Sequence, residues 1–164
     1  MARFVIDCEI LLRIAAGEVE VSSEHILLAP TLVRSQALTA LYEASRRGEI
    51  SAAEGIERVT RMNSLRVRFL GDKMLQRTAW NVADQLGWPT TYDAEFVALA
   101  QLKADALVTS NDDLAQAVSA WIHRFARALH LVRAARPLPV RVAPVSSLPG
   151  GPHPDGALRA GKGS

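Results

Sequence analysis

Phe4-Val5-Ile6 and Ala106-Leu107-Val108-Thr109 are continuous apolar runs too short for a helix, and both stop at polar groups. Asp7 ends the first, and Ser110-Asn111-Asp112-Asp113 ends the second. A short run without polar alternation suits a strand covered on both faces. Longer segments with helical periodicity separate such runs, so strand and helix alternate along the chain. That order predicts an α/β fold with a mostly parallel sheet. Right-handed crossovers then align the carboxyl ends of the strands along one edge, where ligands bind. Asp7 and Asn111-Asp112 are expected there.

The remaining elements follow from local signals. Arg3 to Ile6 reads as a strand, and Cys8 to Ala16 as a helix stopped by Gly17. His25 to Ala29 reads as a second strand. Pro30 suits the first turn of the helix that follows, which is expected to run to about Arg47. Ser51-Ala52-Ala53-Glu54 is a capping box, and its helix is expected to reach about Asn63. Leu65 to Leu70 alternates apolar and basic residues, the pattern of a strand with one exposed face. A helix after Asp72 ends at Gly87. Thr91 is a candidate N-cap for a helix through Lys103, with Asp93 and Glu95 in its first turns complementing the helix dipole. A further helix is expected from Asp112 through Ala120, with helical periodicity continuing to His130, and a last strand at Pro139 to Val142.

Length enters as a bound on domain number. The 164 residues fit one domain, able to bury roughly two thirds of its unfolded surface. That domain is assigned to residues 1–146. Residues 147–164 carry five of the ten glycines and three prolines, a composition expected to stay disordered. Hydrophobic content is 49% with only 5% aromatic, which points to aliphatic packing of helices on a sheet. Cys8 is the lone cysteine, so neither an intrachain disulfide nor a cysteine zinc site is available. No apolar stretch reaches the roughly 20 residues of a membrane span, and no signal-peptide pattern opens the chain, so a cytoplasmic protein without a membrane partner is expected. The net charge of +2 does not announce a nucleic-acid binder. The distribution of charge is more telling: Arg34, Arg66, Arg68 and Arg77, within a broader basic stretch, are candidates for holding phosphates. A solvated helical surface is the alternative.

Carboxylates that converge without a cationic partner repel one another, and a hard cation relieves that repulsion. Mg2+ or Mn2+ suits oxygen ligands, and either can activate water and stabilise a phosphodiester transition state. Phosphodiester hydrolysis is therefore the leading chemistry for Asp7, Asp93 and Asp112. Each of these also lies where an aspartate would cap a helix.

Four segments, in order, resemble the motifs of the PIN-domain family and in particular the VapC-type toxin ribonucleases. They are Phe4-Val5-Ile6-Asp7, Leu27-Leu28-Ala29-Pro30, Tyr92-Asp93-Ala94-Glu95-Phe96-Val97-Ala98-Leu99-Ala100 and Leu107-Val108-Thr109-Ser110-Asn111. The resemblance covers roughly Arg3 to Val145. It implies a three-layer α/β/α sandwich with a central, mostly parallel sheet, and Mg2+- or Mn2+-dependent endoribonuclease activity on RNA. It also implies a homodimer and a small antitoxin that covers the acidic cleft. Two positions depart from the family pattern: Gln36 stands where a glutamate is usual, and Asn111 where an aspartate is usual. An amide oxygen can ligate a metal, but it brings no charge and cannot serve as a base. The expected ligands are Asp7, Asp93, Asn111 and Asp112, with Gln36 and Thr109 supporting. Glu43, two turns beyond Gln36, is a weaker substitute because of its side-chain direction. A catalytically impaired domain that binds RNA or a partner is the alternative reading.

Overall fold

The computed structural model describes residues 1–129 and 142–143, with side chains of the last helix described through residue 120. The expected disordered tail, His130 and His153 lie outside the described residues, as do the side chains of Trp121 and His123. The elements are β1 (Arg3–Ile6), α1 (Cys8–Ala16), β2 (Ile26–Pro30), α2 (Leu32–Arg46), α3 (Ala52–Ser64) and β3 (Val67–Leu70). They continue with α4 (Lys73–Leu86), α5 (Tyr92–Lys103), β4 (Ala106–Val108), α6 (Asp112–Leu129) and β5 (Val142–Ala143).

The five strands form one sheet in the order β3-β2-β1-β4-β5, and every pairing is parallel. The chain steps outward from β1 to β2 to β3, then returns across the sheet to β4. Right-handed crossovers place α1, α2 and α3 on one face and α4, α5 and α6 on the other. The fold is a three-layer α/β/α sandwich. The strand order reverses between β1 and β4, where Ile6 pairs with Val108. Asp7 and Thr109 therefore leave the sheet side by side.

Burial explains why these segments are strands. Val5, Ile6, Leu107 and Val108 are fully buried, as the central strands of a sheet covered on both faces must be. Helix α5 buries Ala94 and every residue from Phe96 to Ala100. A helix apolar around most of its circumference belongs inside the protein, and α5 packs against β1, β2, β4 and α4.

Local chemistry sets the ends. Asp7, Ser51 and Asp72 cap α1, α3 and α4 through side-chain bonds to Ile10, Glu54 and Leu75. Gly17 and Gly87 end α1 and α4 at φ +81° and +67°, a conformation that only glycine adopts cheaply.

The boundaries of β2 and β3 differ from the sequence expectation. Pro30 is the last residue of β2, paired with Leu70, rather than the start of a helix. A proline at a strand end loses no ladder bond it needs, because the next N–H, that of Thr31, donates to the Leu70 carbonyl at 3.0 Å. Strand β3 begins at Val67, two residues later than the alternation suggests, and Arg66 and Arg68 are exposed. Of the last strand expected at Pro139 to Val142, Pro139 to Arg141 lie outside the described residues, and Val142 belongs to β5, Val142–Ala143, beside β4.

Candidate functional site at the carboxyl edge of the sheet

Asp7 ends β1 and begins α1, and both carboxylate oxygens are engaged. Oδ1 accepts the backbone N–H of Ile10 at 2.9 Å, and Oδ2 accepts the Thr109 hydroxyl. Thr109 Oγ1 in turn accepts the backbone N–H of Asn111 at 3.0 Å. Asn111 Oδ1 accepts the backbone N–H of Leu114 at 3.1 Å and so caps α6. One chain of bonds thus runs from the start of α1 to the start of α6 across the point where the strand order reverses. Ligands of open α/β sheets bind in such crevices.

The electrostatics of this edge favour a positive guest. Asp7 is 8% exposed and has no ion-pair partner among the described residues. Burial raises its carboxyl pKa, against smaller opposing effects from the Ile10 N–H, the Thr109 hydroxyl and the Ser110 N–H. Glu9 adds to the rise. Asp93 lies in the first turn of α5. Because β4 starts three residues after α5 ends, the helix runs antiparallel to the strand and its first turn lies at the same edge as Asp7. Asp93 is an exposed residue whose carboxyl is nevertheless partly desolvated, which raises its pKa, and burial raises that of the half-buried Glu95. The Cys8 thiol is pushed up to about 11 by burial and by the carboxylates of Asp7 and Glu9, so it stays protonated beside them.

Gln36 lies in the second turn of α2. Its Oε1 is buried without a hydrogen-bond partner among the described residues, and so is Ser110 Oγ just beyond β4. A buried unpartnered oxygen is costly unless something donates to it or coordinates it. Gln36 shares a groove of about 540 Å³ with Tyr92, next to Asp93. Glu43 also lines this groove. Positions 36, 39, 40 and 43 form one helical stripe. The Glu43 carboxylate, however, lies 3.9 Å from the Arg47 guanidinium.

The remaining candidates separate. Asp112 is exposed in the first turn of α6. Among the described residues no three His, Cys, Asp or Glu side chains gather as a cation group, so Asp7, Asp93 and Asp112 are not brought together as one close set of carboxylates. The oxygens along this edge that could serve a divalent ion are the carboxylates of Asp7 and Asp93, the unpartnered Gln36 Oε1 and the second lone pair of Asn111 Oδ1. The donors are all hard oxygens and fit Mg2+ or Mn2+ in kind, with two formal charges.

Arg66, Arg68 and Arg77 are exposed and have no ion pair among the described residues. The Arg34 guanidinium lies over the Phe69 ring, 5.4 Å from its centroid. Ser110 is absent from the sequence-based candidates, although a second hydroxyl at the end of a buried strand is the available signal. Trp80 is 70% exposed. His25 is half-buried, accepts the Ala2 N–H at 3.2 Å and meets Phe4 edge-on.

No protein-family model matches the chain, and no curated protein matches it. Among solved structures it is similar to the crystal structure of PAE2754 from Pyrobaculum aerophilum. The TM-score is 0.57 at 23% identity, covering 77% of this chain and 96% of that one. The likeness is one of fold. No helix among the described residues is long and apolar enough to cross a membrane.

Proposed function

We propose that this chain is a PIN-like, divalent-metal-dependent endoribonuclease of the VapC toxin type, acting on RNA in the cytoplasm. The observation that carries this reading is Asp7, a buried carboxylate with no cationic partner among the described residues, at the edge where the strand order reverses. Asp93 at the head of α5 and the orphaned oxygen of Gln36 add to it. A bound Mg2+ or Mn2+ would supply charge neutralisation and an activated water.

The chain's own residues have distinct tasks in this reading. Asp7 and Asp93 hold the cation. Thr109 fixes the carboxylate of Asp7 in one rotamer through its hydroxyl, and Ile10 fixes the other oxygen. Asn111 holds the turn and the start of α6 in place. Arg34, Arg66, Arg68 and Arg77 supply positive charge for the RNA backbone. A homodimer and a small antitoxin protein belong to the same proposal. The groove between α2 and α3, lined by Leu38, Leu41, Tyr42, Ile56 and Val59, offers an amphipathic partner segment an apolar surface.

A second reading is favoured by one observation: Asn111 spends its side-chain oxygen capping α6. With Gln36 also neutral, the edge has fewer charges than a nuclease of this type usually brings to its cation. A domain that binds RNA or a partner without cutting would follow.

Cleavage of a mixed single-stranded RNA pool separates the two. The pure protein is incubated with Mn2+, Mg2+ or chelator, beside Asp7→Asn and Asp93→Asn. Metal-dependent cleavage lost in both variants is the expected result. Folded protein with no cleavage above the variants in either metal refutes the nuclease and leaves the binding module.

A further inference from the structure

The turn that ends α4 builds a second feature, separate from the carboxylates. Gly87 in its left-handed conformation lets the Gly87 and Trp88 N–H groups return to the carbonyls of Asp84 at 3.2 Å and Ala83 at 2.9 Å. This closure folds Trp88 back beside the last turn of its own helix, where it is half-buried and packed on the core. Trp80 stands 70% exposed. With Asp84, Pro89, Thr90 and Thr91, the two indoles line a slot of about 180 Å³.

The first half of the helix carrying Trp80 presents two cations to a polyanion. Lys73, Arg77, Trp80 and Asp84 fall at i, i+4, i+7 and i+11, one stripe along α4. All four are exposed, and neither Lys73 nor Arg77 has an ion-pair partner among the described residues. A fixed aromatic floor, an exposed aromatic wall and free cations along the approach are the parts of a single-strand binding track.

We propose that this slot stacks one base of a single-stranded RNA between Trp80 and Trp88, while Lys73 and Arg77 hold phosphates of the same strand. The proposal rests on the ribonuclease reading for its choice of nucleic acid. Asp84 and the hydroxyls of Thr90 and Thr91 meet the edge of the stacked base, and the Asp84 carboxylate accepts from a base amino group. Thr91 lines the slot and Asp93 follows it by two residues. A strand anchored here is led along the head of α5 toward the acidic edge. The slot reads a base only when it is unpaired, so duplexes are excluded from it.

The test uses the full chain carrying Asp7→Asn, in chelator so that nothing is cut, and the anisotropy of fluorescein-labelled oligoadenylate as single strand and as duplex with oligouridylate. Trp80→Ala is expected to weaken single-strand binding roughly tenfold to hundredfold, with Trp80→Phe retaining most of it. Lys73→Ala and Arg77→Ala are each expected to lower the slope of log affinity against log salt by about one. Trp80 is a surface residue, so its variants fold. Unchanged affinity in Trp80→Ala, or equal binding of duplex and single strand, overturns the slot. So does loss of affinity that sedimentation shows to accompany conversion of a dimer to a monomer, because a second copy then covers this face. The two proposals fail separately. Intact binding without cleavage in Mn2+ by the unmodified chain sinks the nuclease and leaves the slot. Cleavage with unchanged Trp80→Ala affinity does the reverse.

Discussion

Thr109→Val removes one hydroxyl and almost no volume, and it tests the bond chain that joins the two halves of the sheet edge. Valine keeps the β-branched shape, so the strand end and its packing are preserved. Two bonds disappear. The bond to the Asp7 carboxylate is charge-assisted and buried, worth about 1.5–3 kcal/mol. The Asn111 N–H loses its acceptor, at about 1 kcal/mol because that group is only partly buried and water can serve it. The sum is about 3 kcal/mol, a fall in Tm of roughly 6–12 °C for a domain of this size. The assay is thermal unfolding by circular dichroism in chelator, repeated with Thr109→Ser, which restores the hydroxyl and is expected to recover more than half of the loss. The same substitution in an Asp7→Asn background supplies the control. There the charge is absent, and the introduced amide can donate to Thr109 Oγ1 while its carbonyl keeps the Ile10 bond. The cost of Thr109→Val is then expected to fall by about 1–2 kcal/mol. A Tm within about 2 °C of the unmodified chain would refute the argument, as would an equal cost in both backgrounds.

Further outcomes follow from the same edge. Asp7, Asp93 and Glu95 all have raised carboxyl pKa values, so the folded state binds more protons than the unfolded state between the ordinary carboxylate values and the raised ones. Their contribution to stability in chelator is therefore expected to be greatest below the ordinary values, to fall as pH rises through the window, and to level off above it; urea titrations from about pH 4 to 8, comparing the chain with Asp7→Asn, measure it. Mn2+ needs the ionised forms, so its stabilisation should grow as pH rises through the same window, and calorimetric titrations at two pH values check the sign. Asn111→Asp keeps an equally good cap for α6 and adds a charge, so a Tm change under about 2 °C and roughly tenfold or more tighter Mn2+ binding by calorimetry are expected. A Cβ on Gly71 would lie 2.5 Å from Thr31 Oγ1 and 3.1 Å from its Cγ2. Thr31 is stiff and sits in the turn between β2 and α2, so Gly71→Ala is expected to cost about 1–3 kcal/mol in urea unfolding.

Features with local causes are legible in the chain alone. Buried strands show as short apolar runs at Val5-Ile6 and Leu107-Val108. Helix starts show at Asp7, Ser51 and Asp72 and stops at Gly17 and Gly87, because caps and left-handed turns act over four residues. The alternation of these elements implies a parallel sheet, and a parallel sheet implies a ligand edge at Asp7 and Asn111. Other features depend on contacts between distant residues, and they emerge only when the chain is folded. Pro30 is a strand end because Leu70 lies beside it in β3. The Asp7 carboxylate finds the Thr109 hydroxyl only once β1 and β4 are neighbours across about a hundred residues of chain. The exposure of Trp80 beside a half-buried Trp88 depends on how the turn at Gly87 folds back and which face of α4 meets α5. Helical periodicity names a face, but it cannot say which neighbour covers it.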